Sequence, residues 1–381
     1  MNKNPRIGLI SVYSFFRPGG VKNHILALQK EFQKRGIESK AIIPRYSISE
    51  KYDENIVFLG KTIFVPFFGV RFDFSFCPNS RKIDKFLERG GFDILHFHNF
   101  GLLSYQILKR SKALNILTFH ADIKGERAFK IFPFLIPALK KVVKEKIDGI
   151  IGTAPFVLDV FGNFTGPTTV IPNGIDLNQF NPGNPKIKKY LDGKFNILFL
   201  GRIEKRKGLI YLLRAYEILQ KKFDNLRLIV IGKGPLKNEC QNYVNSNKLK
   251  DVIFEGEIEN EKTPPYYTTA DIYVSPAFYG ESFGIVLLEA MASGCPVVAF
   301  ANRGYQRVLS GKGAEFLAKP QDWQELAQKM EILIRDEAKR KEMREWGIAE
   351  AQKYSWPKIA DQVLDFYQLC LEKKNKKSTS F

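Results

Sequence analysis

Two carboxylates, Glu281 and Glu289, stand eight positions apart inside the run 280–300. A turn containing Gly280 and Gly284 precedes an apolar helical stretch, which places the first carboxylate at a helix entrance and the second two turns in. Residues 297–300 (Val-Val-Ala-Phe) read as the buried strand that follows. A loop, helix and strand of this kind in an α/β sheet builds a ligand site outside the carboxyl ends of the strands, beside a helix N-terminus. Glu289 is flanked by Leu287, Leu288, Ala290, Met291 and Ala292. A carboxylate in such surroundings is costly without a polar partner, although a helix-surface position would also accommodate it.

Cations occur upstream. Arg202 follows Gly201 at the end of a strand pattern (195–200), and Lys207 precedes Gly208 where the chain turns into the next helix. From such a loop both can reach phosphates near helix N-termini, although Lys205 and Arg206 in the same run also fit a solvated basic loop. Gly232 and Lys233, after the strand 226–231, form a second strand-to-helix turn, and its lone Gly-x-Gly is equally an ordinary turn. No Gly-x-Gly-x-x-Gly is present, which argues against a dinucleotide oxidoreductase. Gly19 and Gly20 close the first strand-loop-helix, where an absent Cβ lets backbone approach a phosphate or sugar. The four histidines all fall in the first half. His96, His98 and His120 lie near strand ends as lining or structural groups, and His24 lies one turn into the first helix.

Strands and helices must alternate to position these groups, giving a parallel sheet with functional residues at strand ends. Strands are expected at 7–12, 39–44, 56–59, 92–98, 116–120, 149–153 and 169–171. A second series covers 195–200, 226–231, 252–254, 272–274 and 296–300. Helices are expected at 21–35, 209–219, over much of 321–353, and at 358–371 after the Trp356-Pro357 break. Residues 372–381 read as a frayed tail. The chain of 381 residues is too long for one ordinary core. Pro172, Asn173 and Gly174 mark the boundary, giving domains 1–173 (joined by 358–381) and 174–357.

The net charge is +19, with 26 Lys/Arg against 14 Asp/Glu up to Gly174. A basic excess favours phosphates, acidic lipid surfaces or nucleic acid. Cys77, Cys240, Cys295 and Cys370 have no metal-ligand spacing, so they read as reduced cysteines without zinc, Cys295 buried behind the Glu289 helix. No leader sequence is legible, and no apolar run reaches the ~18 residues of a spanning helix.

The residues 280–300 resemble the Glu-x7-Glu signature of retaining nucleotide-sugar glycosyltransferases with the GT-B architecture. That resemblance implies an α/β fold of two Rossmann-like domains facing each other across a cleft, with the C-terminal helix crossing back to the first. It assigns Arg202, Lys207, Gly19 and Gly20 to the donor diphosphate, and Gly232, Lys233 and Glu289 to the nucleotide and ribose. Glu281, Ser282, Phe283 and Gly284 go to the donor sugar, and His120 joins Glu281 as a catalytic group by positioning that sugar. It implies front-face attack with retention, no enzymic nucleophile, no metal and no cofactor. Donor binding is expected to draw the domains together.

Tyr13-Ser14-Phe15, Pro18-Gly19-Gly20-Val21, 281–286 and 303–309 are similar, within that family, to bacterial phosphatidylinositol mannosyltransferases. GDP-mannose is therefore the first choice of donor over a UDP-hexose, and phosphatidylinositol the first choice of acceptor. Tyr13 would stack on the inositol ring, unless it is a packed core residue, and His24 would approach the acceptor. Arg81, Lys82, Lys85 and Arg89, interleaved with Ile83, Phe86 and Leu87, form a basic amphipathic segment suited to an anionic bilayer, interrupted by Asp84. Residues 129–146 are a second such candidate, or a packed helix. The implied location is cytoplasmic, peripheral on the inner face of the plasma membrane. Alternatives are a UDP-hexose transferase acting on diacylglycerol or a small soluble acceptor and, remotely, a basic nucleic-acid-binding protein, for which no binding module is evident. Asn302-Arg303-Gly304-Tyr305 stands where relatives often carry acidic residues, and the 202–207 loop is one residue shorter than theirs.

Overall fold

The computed structural model describes residues 5–16, 19–67, 70–120 and 135–378. The chain divides into two compact units, residues 1–173 with 356–381, and residues 174–355.

In the first unit the strands are β1 (Ile7–Ser11), β2 (Ser39–Arg45), β3 (Ile56–Phe67), β4 (Val70–Phe76), β5 (Ile94–His98), β6 (Leu114–Phe119), β7 (Gly149–Gly152) and β8 (Thr168–Val170). They form one sheet in the order β4-β3-β2-β1-β5-β6-β7-β8. Helices α1 (Gly20–Lys34), α2 (Ser80–Gly90) and α3 (Leu102–Leu108) connect its first strands. Buried side chains fill both faces. Ile10, Ile42, Leu95 and Leu117 point to the face carrying Ile83 of α2. Ile7, Leu9, Ala41 and Ile116 point to the face carrying Leu28 and Phe32 of α1. Burial on both sides explains why these strands are continuous apolar runs.

The structure corrects two expectations here. The sheet is not wholly parallel: β3 runs to Phe67 and pairs antiparallel with β4, so Lys61 faces Phe76 and Phe67 faces Val70. Residues 70–76 do alternate apolar and polar side chains, but burial is inverted against that pattern, with Thr62 and Ser75 buried and Ile63, Phe64 and Phe74 exposed, so the alternation marks no core face. The last helix is longer than expected, Trp356–Ser378, so most of the supposed tail is helical. Ile359, Val363, Phe366 and Tyr367 bury it on the α1 face of the first sheet.

The second unit carries β9 (Phe195–Leu200), β10 (Leu226–Ile231), β11 (Val252–Gly256), β12 (Ile272–Ser275), β13 (Val297–Phe300) and β14 (Leu317–Ala318). Every pairing is parallel, in the order β11-β10-β9-β12-β13-β14. Its strands feed the helices Leu209–Gln220, Lys237–Ser246 and Ile285–Ala292. All four cysteines are free and buried. Among the described residues no helix is long and apolar enough to cross a membrane.

Candidate active site

Functional side chains gather at the carboxyl ends of the strands in each unit. In the second unit, Glu281 lies in the loop between β12 and the helix Ile285–Ala292. That helix begins at Ile285, four residues later than the sequence pattern suggested. Gly284 caps it at φ 103°, and a Cβ there would meet the Tyr305 ring at 2.6 Å. Glycine is therefore required by both backbone and packing. Tyr305 is fixed in turn by a hydrogen bond of 2.8 Å between its hydroxyl and Ser275 Oγ. The Asn302 side chain accepts from the amides of Gly304 and Tyr305 at 3.1 and 2.9 Å, and donates to the Ala277 carbonyl at 2.7 Å. The unusual 302–305 segment thus supports the Glu281 loop from below.

The Glu281 carboxylate binds two cations through one oxygen: Lys207 Nζ at 2.7 Å and Arg206 Nη1 at 2.8 Å. Arg206 Nε also binds Glu204 at 2.6 Å. Lys207, expected at a diphosphate, is here ion-paired with Glu281, and Arg206, read as part of a basic run, is the second partner of that carboxylate. The i, i+1 pair Arg206-Lys207 carried no periodic signal. Only the fold shows that a short 3₁₀ turn, Lys205–Lys207, directs both inward. Arg202 reaches outward instead, its side chain 70% exposed and paired with Glu204 at 3.3 Å.

Glu289 is buried in the second turn of its helix. The Tyr267 hydroxyl donates to its Oε2 at 2.9 Å. Burial pushes its pKa up to about 7, against the lowering effects of Tyr267 and Lys207. Ser282 is half-buried. Phe283 is 2% exposed and packs in the core. Its ring therefore cannot touch a sugar, which corrects its side-chain assignment and leaves only its backbone available.

The Gly232 turn packs closely against the neighbouring strand-end loop. Its φ is 141°, and a Cβ would lie 1.9 Å from the Gly201 carbonyl oxygen. The two strand-end loops interlock, with Gly201 N–H donating to the Ile231 carbonyl and Ile203 N–H to the Lys233 carbonyl. Glycine here permits loop-to-loop contact. Lys233 is exposed and ion-paired with Glu257.

In the first unit, β5 and β6 carry His98 and His120 to their carboxyl ends, and the first turns of α1 bring His24 against them. His98 Nδ1 and His120 Nε2 are 3.2 Å apart, and the His24 ring centroid is 4.8 Å from that of His120. His24 Nδ1 lies 3.0 Å from Asn173 Oδ1, and its ring meets Trp356 edge-on. The His120 amide donates to Asn99 Oδ1 at 2.8 Å. Asn99, which the sequence reading passed over, sits at φ 66°, a conformation Asn tolerates better than most residues. His96 has a structural place, with Thr118 Oγ1 and the Tyr367 hydroxyl each 2.6 Å from one of its nitrogens.

Burial pushes the pKa of His24 down to about 4 and those of His96, His98 and His120 well below the ordinary imidazole value. The cluster is therefore neutral. Nitrogens of His24, His98 and His120 lie within 4.8 Å of one another, a spacing that a borderline-soft cation could close. Hydrogen bonding to a polyol is an equally natural use of three neutral imidazoles.

Tyr13 is 45% exposed just past β1, so it is not a core residue. Gly19 is extended at φ −176°, and a Cβ on Gly19 or Gly20 would have nothing within 4 Å. Pro18 and residues 129–134 lie outside the described residues. Arg81, Lys82, Lys85 and Arg89 lie on α2, the helix that leads into β5.

Two α/β units, one with paired carboxylates and cations at its strand ends, define a class rather than a particular enzyme. Residues 18–179 match Glycosyltransferase Family 4, and residues 183–349 match Glycosyl transferases group 1. The chain belongs to this family of GT-B glycosyltransferases. Among curated relatives, it is 31% identical over 372 residues to the phosphatidyl-myo-inositol mannosyltransferase of Mycobacterium leprae, covering 95% of this chain and 96% of that protein. The alpha-monoglucosyldiacylglycerol synthase of Streptococcus pneumoniae is 28% identical, covering 81% of this chain and 74% of that protein. A glycosyltransferase crystal structure from Rickettsia africae superposes with a TM-score of 0.78 at 18% identity, covering 97% of this chain and 99% of that one, which speaks for the fold.

Proposed function

We propose that the protein is a retaining, metal-independent hexosyltransferase that moves mannose from GDP-mannose onto phosphatidylinositol as a peripheral enzyme at the inner face of the plasma membrane. The transfer chemistry rests on one observation: Glu281 is bound by Lys207 and Arg206, and the buried Glu289 feels the same lysine. Support for mannose and phosphatidylinositol comes from the near full-length likeness to the mycobacterial mannosyltransferase.

Breaking the sugar C1–O bond leaves negative charge on a nucleoside diphosphate, which preorganised cations stabilise more effectively than water does. Lys207, Arg206 and the more exposed Arg202 supply them. Phosphate oxygens compete with Glu281 for Lys207 and Arg206, and the released carboxylate accepts from the sugar hydroxyls. Glu289 accepts from the ribose diol, with Tyr267 fixing its rotamer. His120, neutral and held through its amide by Asn99, positions the sugar. The acceptor hydroxyl attacks from the face the diphosphate leaves, and a diphosphate oxygen takes its proton, so configuration is retained without an enzymic nucleophile. Tyr13 offers an exposed ring for the inositol, and His24 approaches the acceptor from the histidine cluster.

The likeness to a glucosyldiacylglycerol synthase favours a second reading, UDP-hexose transfer to a diacylglycerol lipid. A single assay separates them. Purified protein is incubated with liposomes containing either phosphatidylinositol or diacylglycerol and either radiolabelled GDP-mannose or UDP-glucose, with EDTA present and Glu281→Ala as control. Lipid label from GDP-mannose that survives EDTA and vanishes in the control is expected. Donor hydrolysis without lipid label would sink the inositol-lipid acceptor while keeping the enzyme class.

A further inference from the structure

The cations of α2 are not displayed on a flat face. Asp84, which interrupts the basic run in sequence, is bound by Arg110 Nε at 3.1 Å and is thereby neutralised. Lys82, Lys85 and Arg89 follow one another at helical spacing and share a face. With Phe86 they form one wall of a cavity of about 560 Å³, within the roughly 300–1,000 Å³ usual for small-molecule sites. The opposite wall is the start of the first sheet, comprising Arg6, Glu38, Lys40 and Val57, with Gly90 and Phe92 closing the end.

Five cations and one carboxylate face this space, and Glu38 is already bound by Arg6 at 3.0 Å. None of Lys40, Lys82, Lys85 and Arg89 is ion-paired with a described carboxylate. Four like charges around one concavity repel each other, and an anion placed among them is held by all four. Val57, Phe86 and Phe92 add an apolar side. The lining is thus suited to a phosphate that carries an organic group.

The sheet residues of this cavity stand at the amino ends of their strands. Arg6 precedes β1, Lys40 is second in β2, Val57 is second in β3, and Phe92 precedes β5. His98 and His120 stand at the carboxyl ends. A five-residue strand spans about 16 Å, so the cavity and the histidine cluster lie at opposite ends of the sheet.

We propose that the cavity between α2 and the amino ends of β1–β3 is a second, stoichiometric binding site for the phosphate of a phosphoester, apart from the transfer site. The phosphoester can be the head of an anionic phospholipid or a soluble molecule. Because the test reads binding rather than transfer, it stands or falls independently of the proposed reaction.

The full-length protein is titrated calorimetrically with glycerol 3-phosphate and with a short-chain phosphatidic acid below its micelle concentration. It is also floated with phosphatidylcholine vesicles with and without phosphatidylglycerol. Two variants discriminate: Lys40→Glu, which changes the cavity from the sheet side, and Lys30→Glu, which changes an exposed cation of α1 on the opposite face of the sheet. Loss of a charge-assisted contact predicts that Lys40→Glu weakens binding about tenfold or more, and Lys30→Glu much less. Hydrogen-exchange protection of β1, β2 and β5 in the first unit, unchanged in Lys40→Glu, serves as the folding control. Lys40→Gln repeats the test if that variant does not fold. Saturable binding of glycerol 3-phosphate that Lys40→Glu abolishes would assign a soluble ligand. Lys40-sensitive binding confined to the lipids would assign a headgroup. Equal weakening by both variants, or no binding of any phosphate probe, would overturn the proposal.

Discussion

The histidine cluster of the first unit and the carboxylate loop of the second solve the same problem, holding polar groups ready for a ligand, by opposite electrostatic means. His24, His98 and His120 are uncharged, and their burial holds them so. Glu281, Arg206 and Lys207 form ion pairs in a loop where water still reaches Arg206. Neutral imidazoles can be buried almost completely because their desolvation cost is modest. Charges must stay near water or near each other. Glu289 is the exception, a buried carboxyl whose pKa records the cost of its position. A neutral site suits hydroxyl-rich ligands, and a charged site suits a diphosphate. This division is what the following experiments are designed to break.

The largest effect should come from Glu281→Ala. It leaves Arg206 and Lys207 without their shared partner and removes a group that the proposed reaction uses. A fall in kcat/KM of about 10²–10³-fold is expected, comparable to removing one preorganised transition-state contact, with the folded state retained by circular dichroism. A change below tenfold would show that the charged loop is structural. Gly232→Ala comes next. Its Cβ would meet the Gly201 carbonyl oxygen at 1.9 Å, which is backbone that cannot swing aside. Positive φ adds to the strain, so a loss of several kcal/mol is expected, read as a lowered denaturation midpoint of the second unit.

The two regions should also respond oppositely to pH. His24 has its pKa lowered from 6.5 to about 4, so the unfolded chain binds its proton first on acidification. The stability it contributes is complete above about pH 6.5 and drains away as pH falls towards 4, by about 1.4 kcal/mol per pH unit. Glu289 has its pKa raised from 4.5 to about 7, so the folded state binds its proton more tightly. Its contribution is present below about pH 4.5 and is lost as pH rises through 7. Hydrogen exchange at pH 5 and pH 7.5 should therefore show the first unit weaker, and the second stronger, at the lower pH. Glu289→Gln should flatten the trend of the second unit alone. It should also raise the donor KM roughly tenfold at pH 8 and abolish any rise in KM on acidification, since the wild type loses its carboxylate below about pH 7. Parallel slopes in both units would remove the electrostatic distinction.

How much of this was legible in the sequence depended on whether a residue's role is local. The apolar strands and the Glu281–Glu289 spacing are local patterns, and each points to its place in a Rossmann-like unit. Lys207 was found because it follows a strand and precedes a helix. Arg206 was not, because what singles it out is a contact 75 residues away. Asn99 escaped for the same reason: its side chain holds the backbone of His120 across neighbouring strands. The hairpin of β3 and β4 was missed because its burial is inverted, with Thr62 and Ser75 inside and Phe64 and Phe74 outside. Gly232 belongs to a recognisable motif, yet its contact with a neighbouring loop is a tertiary fact.

The smallest expected effect on stability makes the sharpest use of that last point. Gly19→Ala changes a glycine at extended φ with nothing within 4 Å of the added methyl. Its cost is therefore limited to a weaker helix N-cap, below about 1 kcal/mol. If Gly19 is glycine so that backbone can approach a ligand, the methyl should raise a substrate KM while the melting temperature hardly moves. Gly232→Ala should do the reverse, lowering the melting temperature first. A Gly19→Ala protein with unaltered kinetics would mean that the open space around α1's N-terminus is ordinary solvent, and the first unit's polar site would then contract to its histidines and Asn99.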